Sequence, residues 1–226
     1  MSITAIVLVV VSAAMHALRN FFTKKATDKQ VFVWWYEIIG LLFFTPIFFI
    51  FLYIHSTEDI AGSVFTPLIL ATGIIHAVYW YVFTKSLEKG ELSLVYPIMR
   101  SSPAVVLLLS LLILDEKITL GGGFGIILVA FGVYTISLKR YSFAELIAPF
   151  QAFWKDRATQ FAFLTLLCVA AYSITDKAGV QQTHPVFYAY LYPPISLSLY
   201  SGYIFAVKKN NEVKREWMSN RRSILI

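Results

Sequence analysis

An all-α, polytopic membrane fold is predicted for this chain by its composition and by how its apolar residues are grouped. Of 226 residues, 58% are hydrophobic and 14% are charged, against about 25% charged in a typical soluble domain. A water-soluble domain of this length must cover its surface with polar groups, so a soluble enzyme is excluded. The apolar residues fall into seven stretches, each able to cross about 30 Å of hydrocarbon at about 1.5 Å rise per residue. Runs such as Val7 to Val11 and Val105 to Leu114 are nearly unbroken, which excludes the alternating strands of a transmembrane barrel.

The first stretch, 3–22, has small residues at Ser12, Ala13 and Ala14. Met1 to Val10 carries no Lys or Arg, so the stretch reads as a span rather than a signal peptide. The second, 31–54, opens on Val33-Trp34-Trp35-Tyr36, and the third covers 65–84. The fourth, 93–114, contains Pro97 and Pro103. The fifth, 120–137, carries Gly121 and Gly125 as a G-x-x-x-G with Gly132 two turns later, a pattern that predicts close packing on a neighbouring helix. In the connection 138–158, Phe143, Leu146, Ile147, Phe150, Phe153 and Trp154 form one apolar face too short to span. Ser142 and Glu145 form the capping box that would start an interfacial helix there. Spans six and seven are 159–178 and 186–207. A basic connection, Lys208 to Arg222, then leads to Ser223-Ile224-Leu225-Ile226, which reads as the opening of an eighth span that is cut off. Trp34, Tyr53 and Tyr203, near span ends, read as interfacial anchors.

The net charge of +6 resides in short segments between apolar runs rather than along one stripe, so nucleic acid is not a predicted partner. The connections after spans one, three, five and seven hold Lys24, Lys25 and Lys29; Lys85 and Lys89; Lys139, Arg140, Lys155 and Arg157; and Lys208, Lys209, Lys214, Arg215, Arg221 and Arg222. The opposite side has Lys117 and Lys177. Basic residues are retained in the cytoplasm, which places the N-terminus outside and the tail inside. Cys168, the single cysteine, excludes an intramolecular disulfide framework and reads as an inert thiol in an apolar run.

Thr23-Lys24-Lys25-Ala26 at the end of span one recurs as Thr175-Asp176-Lys177-Ala178 at the end of span six. At the same offset, Tyr36 falls opposite Tyr188, and both copies run on into an aromatic-rich span. Such repeats in membrane chains often flank a substrate site. Five spans per copy is an odd number, so the second copy would be inverted in the membrane.

Leu94-Val95-Tyr96-Pro97-Ile98-Met99-Arg100-Ser101-Ser102-Pro103, continuing through Leu114-Asp115-Glu116-Lys117-Ile118-Thr119 and Gly121-Gly122-Gly123-Phe124-Gly125 to Gly132, resembles the fourth helix, charged turn and glycine-bearing fifth helix of EamA-type transporters in the drug/metabolite transporter superfamily. The resemblance runs along the whole chain. It implies two tandem five-helix repeats: a first repeat at 1–137, a cytoplasmic linker at 138–158, and an incomplete second repeat at 159–226. It also implies secondary transport, most simply export, of small metabolites or drugs, with both termini in the cytoplasm. The charge count disagrees with that last point.

An ionisable group in hydrocarbon costs about 2.5 to 3.5 kcal/mol on insertion scales, so such groups should face a cavity or each other. Six qualify: His16, Arg19, Glu37, His76, Arg100 and Asp176. Arg19 and Asp176 are near enough to helix ends to reach water by snorkelling, and His16 shares a face with Arg19. Glu37, deeper, is expected to pair with Arg100 or His76. His76, Tyr79 and Trp80 share a face of span three; Tyr96 and Arg100, with Ser101 adjacent, share one on span four. Tyr172, Ser173, Tyr188, Tyr192, Pro193 and Pro194 bring hydroxyls and a backbone break to the second unit. The predicted substrate-binding set is His16, Arg19, Tyr36, Glu37, His76, Tyr79, Trp80, Tyr96, Arg100, Ser101, Tyr172 and Tyr188, in a cavity lined by spans one to four and six.

There is no G-x-x-x-x-G-K-[ST] phosphate loop and no H-E-x-x-H zinc pair. No cofactor or metal is expected, and an ion gradient is left as the driving force. Protons fit that role, since Glu37, His16 or His76 could change charge in a cell's pH range if burial or partners shift them. The other expected partners are a small-molecule substrate, the lipid bilayer, and a second copy or complementing membrane subunit. The competing readings are a non-transporting fragment, half of a split transporter, and an intramembrane enzyme built on Ser101 or Ser102 with His76.

Overall fold

The computed structural model describes residues 3–54, 67–113, 119–136, 147, 151 and 153–225, and all the regular structure among them is helical. Its long helices are α1 (Ile3–Lys25), α2 (Lys29–Ile54), α3 (Pro67–Lys89), α4 (Leu92–Arg100), α5 (Ser102–Ile113), α6 (Leu120–Ile136), α7 (Arg157–Gln182), α8 (Pro185–Val207) and α9 (Asn210–Ile224). Each of the seven expected spans has its counterpart. By length and hydropathy, α1, α2, α3, the combined stretch Leu94–Ile113 and α7 can cross a membrane, and α6 holds a shorter apolar segment, Leu120–Gly132. The 23 residues of α8 are long enough, but Pro185, Pro193, Pro194 and five tyrosines make it less apolar.

Local chemistry fixes the boundaries. Asp28, in the short turn between α1 and α2, accepts from the N–H groups of Gln30 (3.1 Å) and Val31 (3.2 Å), satisfying donors that the first turn of α2 cannot use. Asp156 caps α7 through the N–H groups of Ala158 (3.2 Å) and Thr159 (2.9 Å). His184 accepts from the N–H of Val186 (3.3 Å), and Pro185 follows as the first residue of α8. The fourth span is not one continuous helix. Pro103 offers no N–H to the helical ladder, so α4 closes at Ser101, whose N–H donates to the carbonyls of Pro97 (3.0 Å) and Ile98 (3.2 Å), and α5 begins at Ser102.

Helix α3 is the centre of the bundle, packed most extensively on α7 and next on α8, while α8 also packs on α2. Gly73 permits this closeness: a Cβ there would meet Ile195 Cβ at 2.7 Å. The core joins Val31, Val33 and Trp34 of α2 to Tyr79, Trp80 and Phe83 of α3, Ala162 and Leu166 of α7, and Tyr200 and Ile204 of α8. By contrast, Ile6 to Val11 of α1 and Phe124 to Phe131 of α6 present exposed apolar faces, suited to lipid in a spanning helix.

Several expectations are corrected. Gly121, Gly125 and Gly132 have nothing within 4 Å of an added Cβ, so the glycine pattern of α6 abuts no described neighbour. Trp34 is core rather than an interfacial anchor: it is 6% exposed and donates from Nε1 to Ser201 Oγ at 2.7 Å. Tyr203 is tied to Gln30 Oε1 at 3.3 Å, and Tyr53 is 92% exposed. Ser223 and Ile224 lie in the last turn of α9, a polar helix, and Ile224 is buried against Ala26 and Phe32. The capping pair Ser142 and Glu145, with Phe143, Leu146 and Phe150, lies outside the described residues.

Candidate functional site

A cavity of about 610 Å³ lies among α1, α2, α3, α7 and α8. Its long wall is one face of α2, where Tyr36, Glu37, Gly40, Leu41, Phe44, Ile47 and Phe48 recur at helical spacing. Twelve residues of helix separate Tyr36 from Phe48, about 18 Å, and the chemistry changes along that length. The Tyr36 end is ionisable, with Glu37 joined by His16 and Arg19 of α1. The Phe48 end is apolar and aromatic, completed by Val186, Ala189 and Tyr190 of α8. There Phe48 stacks on Tyr190 with ring centroids 3.9 Å apart, and Tyr190 OH lies 2.9 Å from Thr45 Oγ1.

At the ionisable end, the Arg19 guanidinium lies over Trp80 (5.0 Å) and Tyr36 (5.6 Å), contacts that favour a cation held among aromatic faces. Its Nη2 is 3.1 Å from His16 Nδ1. Among the described residues no hydrogen bond or ion pair engages the Glu37 carboxylate, which lines the cavity. His76 on the α3 side packs on Tyr172 (4.3 Å) and Tyr192 (4.6 Å). Its Nδ1 lies 3.0 Å from the carbonyl oxygen of Thr72. A carbonyl only accepts, so Nδ1 carries the proton, and a neutral ring keeps Nε2 as an acceptor.

Of the predicted set, His16, Arg19, Tyr36, Glu37, His76, Tyr79, Trp80 and Tyr172 meet in this cavity, and Tyr96, Arg100, Ser101 and Tyr188 do not line it. The expected pairing of Glu37 with Arg100 or His76 is not formed. Arg100 instead reaches His16 Nε2 at 3.0 Å and lies over the Tyr96 ring at 5.0 Å, one layer behind the cavity wall. Ser101 Oγ donates to the Pro97 carbonyl at 2.8 Å, the local bond of a hydroxyl at a helix break, and is not joined to His76. Tyr188 is buried, its hydroxyl donating to Asp176 Oδ1 (3.1 Å) and lying 2.5 Å from Thr72 Oγ1. Asp176 also accepts from Thr72 Oγ1 at 2.8 Å, so it is held within the bundle and does not snorkel.

Among the described residues the lining therefore comes from spans one, two, three, six and seven, and the fourth places Arg100 behind His16. Tyr192 and Pro193, noted in the second unit for a hydroxyl and a backbone break, are among its lining residues. Gly40, Leu41, Phe44, Ile47, Phe48, Val186, Ala189 and Tyr190 were missed. The α2 members were reachable by stepping three and four residues on from Tyr36 and Glu37; the α8 members carried no comparable signal. Among the described residues, no cluster of three or more His, Cys, Asp or Glu could hold a metal ion.

All-helical structure with five helical stretches, among the described residues, long and apolar enough to cross a membrane defines a polytopic membrane protein. The EamA-like transporter family model matches residues 3–138, more than half of the chain, and the chain belongs to that family, a membrane transporter family for small molecules within the drug/metabolite transporter group. An uncharacterized protein of Methanocaldococcus jannaschii is 27% identical over 140 residues, covering 60% of this chain and 98% of the relative. No solved structure matches the chain.

Proposed function

We propose that this chain is a secondary-active exporter, in the plasma (inner) membrane, of small amphiphilic metabolites or drugs. The cavity carries the proposal: the α2 face runs from the Glu37 carboxylate, beside the Arg19 cation of α1, to an aromatic end, the complement of a solute with a polar head and an apolar body. Arg19 and His16 would take an acidic or hydrogen-bond-accepting head, Glu37 a basic or donating one, and Phe44, Phe48 and Tyr190 the apolar part. Arg100 acts through His16. Glu37 and His76 are the groups proposed to carry coupling protons. Export is the direction carried over from the family resemblance. The reading further assigns 1–137 and 159–226 to two repeats about the cavity, with the basic connections on the cytoplasmic side.

The test is counterflow of a panel of labelled amphiphilic carboxylates and amines into proteoliposomes of the full chain. At least one should exchange, and Arg19→Ala and Glu37→Gln should abolish its exchange at unchanged abundance. Undiminished exchange in both variants removes this cavity from the path.

A further inference from the structure

Helix α9 follows α8, a helix of span length, after only Lys208 and Lys209; with α8 read as the seventh span, α9 begins at the boundary between membrane and water. It is fixed there rather than trailing in solvent. The Val213 carbonyl accepts from Trp35 Nε1 at 3.2 Å, the Trp217 ring lies 4.8 Å from that of Trp35, and a Glu216 carboxylate oxygen accepts from the Asp28 N–H at 2.9 Å. Lys208 Nζ lies 2.5 Å from Asp28 Oδ2, which ties the start of α9 to the same α1–α2 turn. These contacts use one face of the helix.

The opposite face presents Lys214, Arg215, Met218, Arg221, Arg222 and Leu225, all exposed and recurring at three- and four-residue spacing. It carries four cations and no carboxylate: Glu212 accepts from the Lys209 N–H at 2.8 Å, and Glu216 is turned inward. Between the cations stand two apolar side chains, Met218 at 67% and Leu225 at 60% exposure. Exposed Lys24 and Lys25 at the adjoining end of α1 extend the positive surface.

We infer that this face of α9 binds an anionic lipid surface, the cations meeting headgroup phosphates and Met218 and Leu225 entering the boundary between headgroups and acyl chains. Cations retained only to set topology need no helical register, whereas here the whole set is displayed on one side of a docked helix. The apolar pair and the position at the membrane boundary favour lipid over an acidic protein or a nucleic acid.

The test uses the full chain with Cys168→Ala and a polarity-sensitive dye on Met218→Cys, in vesicles of phosphatidylcholine alone or of phosphatidylcholine with phosphatidylglycerol. Acrylamide, a neutral quencher, should quench the dye several-fold less in the phosphatidylglycerol vesicles, and high salt should reverse the protection. Each of the changes Lys214→Gln, Arg215→Gln, Arg221→Gln and Arg222→Gln should weaken the interaction by about fivefold, and together they should erase the lipid difference. Equal quenching in the two vesicle types, with the four cations in place, overturns the inference without relying on any variant's folding. Protection that survives all four substitutions overturns the role of charge, and stronger protection by soluble polyglutamate in phosphatidylcholine vesicles than by phosphatidylglycerol reassigns the face to an acidic protein.

Discussion

The Nε2 of His16 lies 3.0 Å from Nη1 of Arg100, and the other ring nitrogen of His16 lies 3.1 Å from Arg19. A guanidinium only donates, and a neutral imidazole has one acceptor nitrogen, so His16 bonds one arginine at a time. Arg19 faces the cavity; Arg100 holds the imidazole from behind. Arg19→Ala should therefore cost substrate binding about 1.5 to 3 kcal/mol, the value of a hydrogen bond to a charged group. Arg100→Ala should cost clearly less. Isothermal titration with a solute identified in the exchange screen checks the ranking, and an Arg100 effect equal to or larger than that of Arg19 would reverse the assignment.

Two glycines set how closely the helices around the cavity approach. A Cβ at Gly179 would stand 2.0 Å from Tyr188 Cε2, and one at Gly73 would stand 2.7 Å from Ile195 Cβ and 3.3 Å from the Tyr192 carbonyl oxygen. Gly73→Ala and Gly179→Ala should each destabilise the protein by about 1 to 3 kcal/mol through overpacking. Gly179→Ala should also move Tyr188 off Asp176 and Thr72. Thermal unfolding in detergent measures the cost, with Gly202→Ala, which meets nothing within 4 Å, as the comparison.

Asp156 starts α7, the main packing partner of central α3. Desolvation works against its ionised carboxyl, but hydrogen bonds from the Thr159 hydroxyl and N–H and from the Ala158 N–H outweigh this and hold it below its ordinary value of 3.8. The folded value is depressed, so the cap contributes fully above the unfolded value and is lost as pH falls through the lower folded one. Asp156→Ala should cost about 0.5 to 2 kcal/mol at neutral pH, and the gap between variant and parent should close in strong acid. Unfolding followed by circular dichroism across that range checks both points.

Glu216 should behave with the opposite sign. Burial raises its carboxyl above the ordinary 4.5, against the hydrogen bonds from the Asp28 N–H and the Asn220 amide. In the window above 4.5 the docked state holds more protons than the undocked one, so docking of α9 weakens as pH rises through it. Limited trypsin cleavage within α9, corrected for the enzyme's own pH response, should increase from mildly acidic to neutral pH. Glu216→Gln keeps an acceptor for Asp28 and should flatten that dependence.

Much of the fold was legible because lipid imposes long apolar runs. All seven spans fall within a few residues of their helices, and the break at Ser101 is the work of Pro103, visible in the sequence. What could not be read was which neighbour each helix meets. The glycines of α6 carry a packing motif yet meet no neighbour among the described residues, while lone Gly73, without a motif, makes the close approach to α8. Trp34 resembles an anchor by its position but is core by its bond to Ser201, 167 residues away. Eight of the twelve predicted site residues meet in the cavity because ionisable groups within apolar helices are rare. The pairing of Arg100 with His16 joins residues 84 apart on two helices, and periodicity within one helix holds no information about that.

Solvent access at Gly40 tests most directly whether the cavity is a solute path. Gly40 lines the cavity and has nothing within 4 Å of an added Cβ, so Gly40→Cys in a Cys168→Ala background fits without strain. A charged, membrane-impermeant thiosulfonate should modify it rapidly and stop exchange, whereas Gly125→Cys on the open face of α6 should stay inert. If Gly40→Cys is as unreactive as Gly125→Cys, the cavity is closed to water and the proposed path is wrong.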